Sequence, residues 1–206
     1  MTHGVSKRSI PPRLYFLRHG ETDWNAKGRL QGQKDVPLNP LGQVQSARAG
    51  RKLKKLLLSQ GESPETLSFQ CSPLLRTRQT LRLARLELGL PPEGGDVDDR
   101  LVEFTFGRWE GLTWPEVCAL DPELAKAREA DKWNFTPPGG ESYAQLAQRL
   151  EPWLEAQKTP SVVVSHGGVA RALMTLIGGL PAERSPVADI WQGRVLVFSA
   201  GRFDWI

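Results

Sequence analysis

At 206 residues the chain is long enough for one domain with a substantial core, and 39% hydrophobic and 24% charged residues are ordinary for a globular protein. A formal charge of +4 suits an anionic small molecule but is too weak to argue for nucleic acid, and no apolar stretch is long enough to span a membrane. Cys71 and Cys118 give neither a disulfide framework nor metal-ligand spacing, so a reducing cytoplasm is the expected compartment.

Met1–Pro12 is basic without an apolar segment, and is expected to be a disordered lead-in rather than a signal peptide. Residues 13–206 are expected to form a single domain. Leu14-Tyr15-Phe16-Leu17 is an apolar run that ends abruptly in Arg18-His19-Gly20, which reads as a buried strand. Arg18 and His19 then stand at its carboxyl end, where open α/β sheets bind ligands. Gly20 is expected to let the backbone approach that ligand closely. Thr22 to Leu38 reads as a loop. Asn39-Pro40 reads as an N-cap followed by Pro at the first helical position, with Leu41, Val44, Ala47, Leu53 and Leu57 as the apolar face and Gly61 as the stop. Thr66–Gln70 is a second strand. Ser72-Pro73 repeats the cap-plus-Pro start, Leu74, Leu81, Ala84 and Leu88 make the stripe, and Gly89 lies just past the end.

Pro91 to Asp99 reads as a loop with a short edge strand, and Leu101 to Gly111 as irregular chain. Thr113 with Glu116, and Ser142 with Gln145, have capping-box spacing; Asp121-Pro122 caps a further short helix. Val162–Ser165 is a buried strand, followed by a helix from Gly168 to about Ile177. Val195–Ser199 and Phe203–Ile206 close the chain as strands. Strands alternate with helices, so the expected fold is α/β, a three-layer sandwich with a mostly parallel central sheet and helices on both faces. Residues 103–140 read as an excursion over that sheet.

One histidine after a strand is commonly a core residue beside a surface arginine. Here the pattern recurs, because Val162-Val163-Val164-Ser165 also ends in His166-Gly167-Gly168. The chain has only three histidines, and the third, His3, lies in the polar lead-in. Arg76 falls in the first turn of the helix after the second strand. If that strand is parallel to the first, Arg76 reaches the same sheet edge. Two guanidiniums, backbone amides near Gly20 and helix N-termini suit a phosphate group. An imidazole beside a phosphate can attack phosphorus, and the leaving alkoxide then needs a carboxylic acid, for which Glu103 and Glu110 are the candidates.

Arg18-His19-Gly20-Glu21-Thr22 followed by Trp24-Asn25 resembles the signature of the histidine phosphatase superfamily, which includes the cofactor-dependent phosphoglycerate mutases. Four further stretches resemble its motifs in the family's order. They are Ser72–Thr80, with Thr77 in place of the usual Ala, Glu103–Gly111, Pro138–Ser142, and Val164–Gly168. The resemblance implies that His19 is the phosphorylated nucleophile and that Arg18, Arg76 and His166 surround the phosphoryl group. It also implies that Asn25 adds a donor, that Glu103 rather than Glu110 gives the proton, and that Gln31 and Gly32 line the pocket mouth. Gly167 joins the phosphate-binding set. Glu21 and Glu110 are expected to hold loops, and Trp24, Trp109 and Trp114 to pack, though Trp114, Trp133 and Phe135 are also candidates for facing the pocket.

The resulting reading is a metal-independent phosphomonoesterase without a cofactor, acting on a small soluble phosphate ester. Nucleic acid and membrane partners are not expected, and a homodimer is compatible with the sequence. A mutase is the first rival, but the basic Arg-Arg-Ser-Tyr stretch of the family's mutases is missing between Gly111 and Gly139. A catalytically inactive phosphate-binding protein on the same fold is the second. A zinc site on His19 and His166 lacks accompanying ligands at suitable spacing.

Overall fold

The computed structural model describes residues 12–206. His3 and all of the expected lead-in but Pro12 lie outside the described residues. The strands are β1 (Leu14–Arg18), β2 (Ser68–Cys71), β3 (Asp96–Val97), β4 (Ser161–Ser165), β5 (Leu196–Ser199) and β6 (Arg202–Trp205). The helices are α1 (Asp23–Ala26), α2 (Pro40–Gln60), α3 (Leu75–Leu88), α4 (Trp114–Leu120), α5 (Pro122–Ala130), α6 (Tyr143–Ala156) and α7 (Gly167–Leu176). The strands build one six-stranded sheet in the order β3-β2-β4-β1-β5-β6. The four strands β3, β2, β4 and β1 run parallel, β5 pairs antiparallel with β1, and β6 pairs antiparallel with β5.

The period-two geometry of β1 feeds both faces of the sheet. Leu14 and Phe16 pack with α6 and α7 on one side, and Tyr15 and Leu17 with α2 and α3 on the other. β4 divides likewise, Val163 to the first core and Val162 and Val164 to the second. A strand buried on both faces reads as a continuous apolar run, as both do here. A third, smaller core of Trp109, Val117 and Ala125 holds the excursion together.

The capping signals behave as read at several helices. Asn39 Oδ1 accepts from Gly42 N at 2.8 Å, and Gly61 adopts φ 66° past the end of α2. Thr113 with Glu116 and Ser142 with Gln145 both form complete capping boxes. Three details differ. The four-residue helix α1, inside the stretch read as loop, is set by a capping box between Thr22 and Asn25. The buried face of α2 begins with Gly42, Ser46, Ala49 and Gly50, while Leu41 and Val44 are exposed. Small residues are needed there because a Cβ on Gly50 would lie 2.8 Å from Ala84 O and one on Gly42 only 2.0 Å from Glu21 O. Finally, α3 is capped by Leu74 with no side-chain bond, so Ser72-Pro73 is not its cap. Ser72 is used elsewhere.

Candidate active site

Parallel pairing of β1 with β4 puts Arg18 opposite Ser165, and His19 N then donates to Ser165 O at 2.9 Å. Both chains therefore leave the sheet side by side, and the rings of His19 and His166 stand 5.2 Å apart with 61° between their planes. His19 Nδ1 is 2.7 Å from Gly20 O. A carbonyl only accepts, so Nδ1 carries the proton and Nε2 keeps its lone pair. Burial, followed by the charges of Arg76 and Arg18, holds His19 well below the usual imidazole range. The ring is neutral at pH 7. His166 is likewise pushed down by burial and then by Arg76. Its Nε2 meets Ser72 Oγ at 2.8 Å, and its Nδ1 has no partner among the described residues.

Arg76 is the second residue of α3 and is 1% exposed. Its Nη1 donates to Lys34 O at 2.6 Å and its Nη2 to Gly32 O at 2.8 Å, while Nε has no partner among the described residues. Arg18 Nη1 donates to Ile190 O at 2.8 Å, and its Nε likewise has no partner among the described residues. Burial pushes each guanidinium down to about 10, still fully charged at neutral pH. Buried N–H groups without partners are costly, and an oxyanion would satisfy them.

Glu103 reaches the site from the irregular chain. Its Oε2 accepts from Gly168 N at 3.0 Å and its Oε1 from Phe104 N at 3.2 Å. Burial raises its pKa against those bonds and the charge of Arg76. The backbone just before it is pinned by Arg149, which donates to Arg100 O and Val102 O, and by Ser165 Oγ, which donates to Leu101 O. A Cβ on Gly168 would lie 2.3 Å from Glu103 Oε1, so this close approach requires glycine.

These groups line a cleft of about 300 Å³ together with Asn25, Gln31, Gly32 and Gly167. His166, fully buried, lies behind its wall. Asn25 both caps and lines: Oδ1 accepts from Thr22 N and lies 3.3 Å from Gln192 Nε2. Gln31 Oε1 accepts from Thr22 Oγ1. Gly32 does more than form the mouth, since its carbonyl holds Arg76.

Gly20 departs from its expectation. A Cβ there would sit 2.1 Å from Gly42 O, so the close approach is made by α2, not by a ligand. The amides of Gly20 and Glu21 are also engaged, by Thr80 Oγ1 and Gln45 Oε1. The first turn of α7, at Gly167 and Gly168, does border the cleft. Glu21 and Glu110 hold loops as expected, Glu21 through Asn39 and Glu110 through Thr105, Phe106 and Gln33. Trp133 stacks on Tyr143 and Phe135 on Trp109, and neither lines the cleft; nor does Trp114. Phe104, Phe106 and Tyr143 do.

The family model of the histidine phosphatase superfamily (branch 1) matches residues 14–203. The chain belongs to this superfamily. A glucosyl-3-phosphoglycerate phosphatase of Mycolicibacterium vanbaalenii is 36% identical over 187 residues, covering 85% of this chain and 78% of that protein. A 2,3-bisphosphoglycerate-dependent phosphoglycerate mutase of a Methylobacterium species is 29% identical, covering 90% and 89%. Among solved structures, a putative α-ribazole-5'-P phosphatase from Escherichia coli K-12 superposes with a TM-score of 0.74 at 28% identity, covering 95% of each chain.

This histidine phosphatase carries Thr77 where the family motif usually has Ala, and the structure shows a use for it. Thr77 is buried and its Oγ1 lies 2.7 Å from Ser72 O and 2.6 Å from Leu74 O, fixing the turn that presents Ser72 to His166. Arg128, Arg171 and Arg29 also line the cleft. Sequence reasoning did not single them out. Arg171 lies in the second turn of a helix that follows a central parallel strand, one turn deeper than Arg76 in its own helix.

Proposed function

We propose that this histidine phosphatase hydrolyses a small phosphate monoester through a phosphohistidine at His19, without a metal ion. The observation that carries the reading is the His19 Nδ1–H···O=C Gly20 hydrogen bond, which leaves Nε2 unprotonated in a cationic cleft. Arg18 Nε, Arg76 Nε and His166 Nδ1 are the buried groups open to the phosphoryl oxygens. For His166 to donate from Nδ1, Ser72 must donate its hydroxyl proton to Nε2.

In the first step Nε2 forms a bond to phosphorus as the ester P–O bond breaks in line. The leaving oxygen takes the Glu103 proton, which a buried carboxyl of raised pKa is suited to give. In the second step the Glu103 carboxylate takes a proton from water, whose oxygen attacks phosphorus and releases His19. The three donors Arg18 Nε, Arg76 Nε and His166 Nδ1, with the Gly167 helix N-terminus, stabilise charge on the equatorial oxygens. The substrate class follows the relatives, two of which are named as phosphatases of small phosphate esters. The excursion carries no paired-arginine stretch, which favours water over a second hydroxyl as acceptor.

Brief incubation with ³²P-labelled ester, followed by denaturation, should leave acid-labile, base-stable label on the wild-type protein and none on His19→Ala. Label retained by His19→Ala would place the nucleophile at another residue.

A further inference from the structure

Glu103 stands in a stretch that is neither strand nor helix, so no backbone ladder fixes it. Side chains from other elements hold its neighbours instead. Arg149 Nη1 donates to Arg100 O at 2.5 Å, Ser165 Oγ to Leu101 O at 2.7 Å, and Arg149 Nη2 to Val102 O at 3.0 Å. Three successive carbonyls leading into Glu103 are thus held from α6 and from the end of β4. Arg149 is itself oriented by Glu141, through Nε to Oε1 at 3.1 Å and Nη2 to Oε2 at 2.9 Å. A bidentate carboxylate fixes the plane of a guanidinium, and that plane aims the remaining N–H groups at the two carbonyls. Beyond Glu103, Glu141 N donates to Thr105 O at 2.9 Å. The pair therefore grips the chain on both sides of the carboxyl. Its two side chains are largely buried, and α6 is anchored independently of them by Leu146, Leu150 and Trp153 in the first core.

We propose that Arg149, oriented by Glu141, is a positioning residue for the proton donor, setting where the Glu103 carboxyl stands relative to the leaving oxygen. Neither Arg149 nor Glu141 lines the cleft, so their influence on the reaction passes through the chain they hold. The idea rests on the phosphatase reading. A misplacement of about 1 Å can cost roughly 10²-fold in rate, and proton transfer to the departing oxygen is the step that Glu103 serves. The nucleophile is held separately, His19 by Ser165 O and Gly20 O. The charge of Arg149 also bears on His166. That effect reaches the phosphoryl oxygens, which are the same in every ester, and so cannot depend on the leaving group.

The test compares phenyl phosphate with p-nitrophenyl phosphate, which have similar shapes but differ in how much the departing oxygen needs a proton. Arg149→Met keeps much of the stem and removes all the donors. It should lose about fivefold more kcat/KM on phenyl phosphate than on p-nitrophenyl phosphate, a part of what general-acid help is worth. Arg149→Lys, which retains a donor but not the fork, should recover part of that difference. In a Glu103→Gln background Arg149→Met should leave the ratio of the two esters unchanged, because there is no acidic proton left to position. Equal losses on both esters for a folded Arg149→Met, or the same fivefold change in the Glu103→Gln background, would overturn the proposal and leave the phosphatase reading intact. Wild-type protein that hydrolyses neither ester would overturn the phosphatase reading and the positioning role with it. Should Arg149→Met fail to fold, Glu141→Gln decides. It loosens the fork while leaving one acceptor, and should shift the ratio in the same direction; an unshifted ratio would overturn the proposal.

Discussion

Ser72 Oγ and His166 Nε2 lie 2.8 Å apart, buried together and separated by 94 positions in the chain. The contact fixes which nitrogen of His166 is left for a phosphoryl oxygen. Ser72→Ala should therefore lower kcat/KM by about tenfold, through loss of one positioning hydrogen bond, while Ser72→Thr restores much of it. Nitrogen-15 shifts of His166 should show a single tautomer in the wild type and exchange between two in Ser72→Ala. Unchanged shifts alongside lost activity would mean that Ser72 acts in some other way.

That serine also shows where sequence reading stops. Asn39-Pro40 to Gly61 is legible because the side-chain cap that starts α2 and the glycine that stops it lie within four residues of its ends. Ser72-Pro73 carries the same local signal, yet its hydroxyl is claimed by a residue from β4's end, and the helix starts three residues on. Leu41 and Val44 mislead for a related reason. Hydrophobicity predicts the buried face only where there is room for large side chains, and α2 approaches Gly20 and Ala84 too closely for that. His19, Arg18, Arg76, Glu103 and His166 were readable because each stands at a strand end, a helix start or a motif. Arg128 and Arg171 were not, since a lone arginine on an amphipathic helix is ordinarily solvated.

The Gly20–Gly42 contact should be intolerant of any side chain. Gly20→Ala would force a methyl to within 2.1 Å of Gly42 O and 2.6 Å of Ser46 Oγ. Backbone cannot yield there without moving α2 away from β1, so a loss of about 3 kcal/mol is expected, at the upper end for overpacking. Urea unfolding checks it. A loss below about 1 kcal/mol, within the range of a neutral surface change, would show that α2 shifts easily.

Acid should weaken the fold through the two buried imidazoles. Both have folded pKa values well below the usual 6.5, with burial as the leading cause. The unfolded chain binds their protons first as pH falls, so their full contribution is present above 6.5 and is lost below it. Each contributes up to about 1.4 kcal/mol per pH unit in that window. Glu103 has the opposite sign, because the stability from its raised pKa is fully present below 4.5 and is lost as pH rises through its folded value. Unfolding free energy measured at pH 7.5, 6.5 and 5.5 should fall across the last interval, and His19→Asn should flatten that fall by about half. A profile that is level from 7.5 to 5.5 would contradict the buried neutral pair.

Activity should survive chelation. Arg18 and Arg76 already bring fixed positive charge to the phosphoryl site. Dialysis against EDTA should leave p-nitrophenyl phosphate turnover intact, and vanadate, which mimics five-coordinate phosphorus, should inhibit strongly. Activity that disappears in EDTA and returns with zinc or magnesium would require a different electrophile.

The assignment of Glu103 as the acid predicts a dependence on leaving group. A glycerate or sugar alkoxide needs a proton as it departs, whereas a nitrophenolate leaves without one. Glu103→Gln preserves the shape and can still accept from Gly168 N or Phe104 N, but it has no acidic proton. It should lose kcat/KM on alkyl phosphates by about 10²-fold more than on p-nitrophenyl phosphate, the usual scale of general-acid help. The comparison reads the first step because phosphoenzyme formation is irreversible when the alcohol is dilute. Glu110 is the control. Its Oε1 gathers Thr105 Oγ1 at 2.7 Å, Gln33 N at 3.0 Å and Phe106 N at 3.3 Å, so it braces the loop against which Gly32 and Arg76 rest. Glu110→Gln should lower stability and reduce both activities in parallel. Equal losses on the two substrates for Glu103→Gln, or a leaving-group effect at Glu110, would move the proton donor to the other carboxylate.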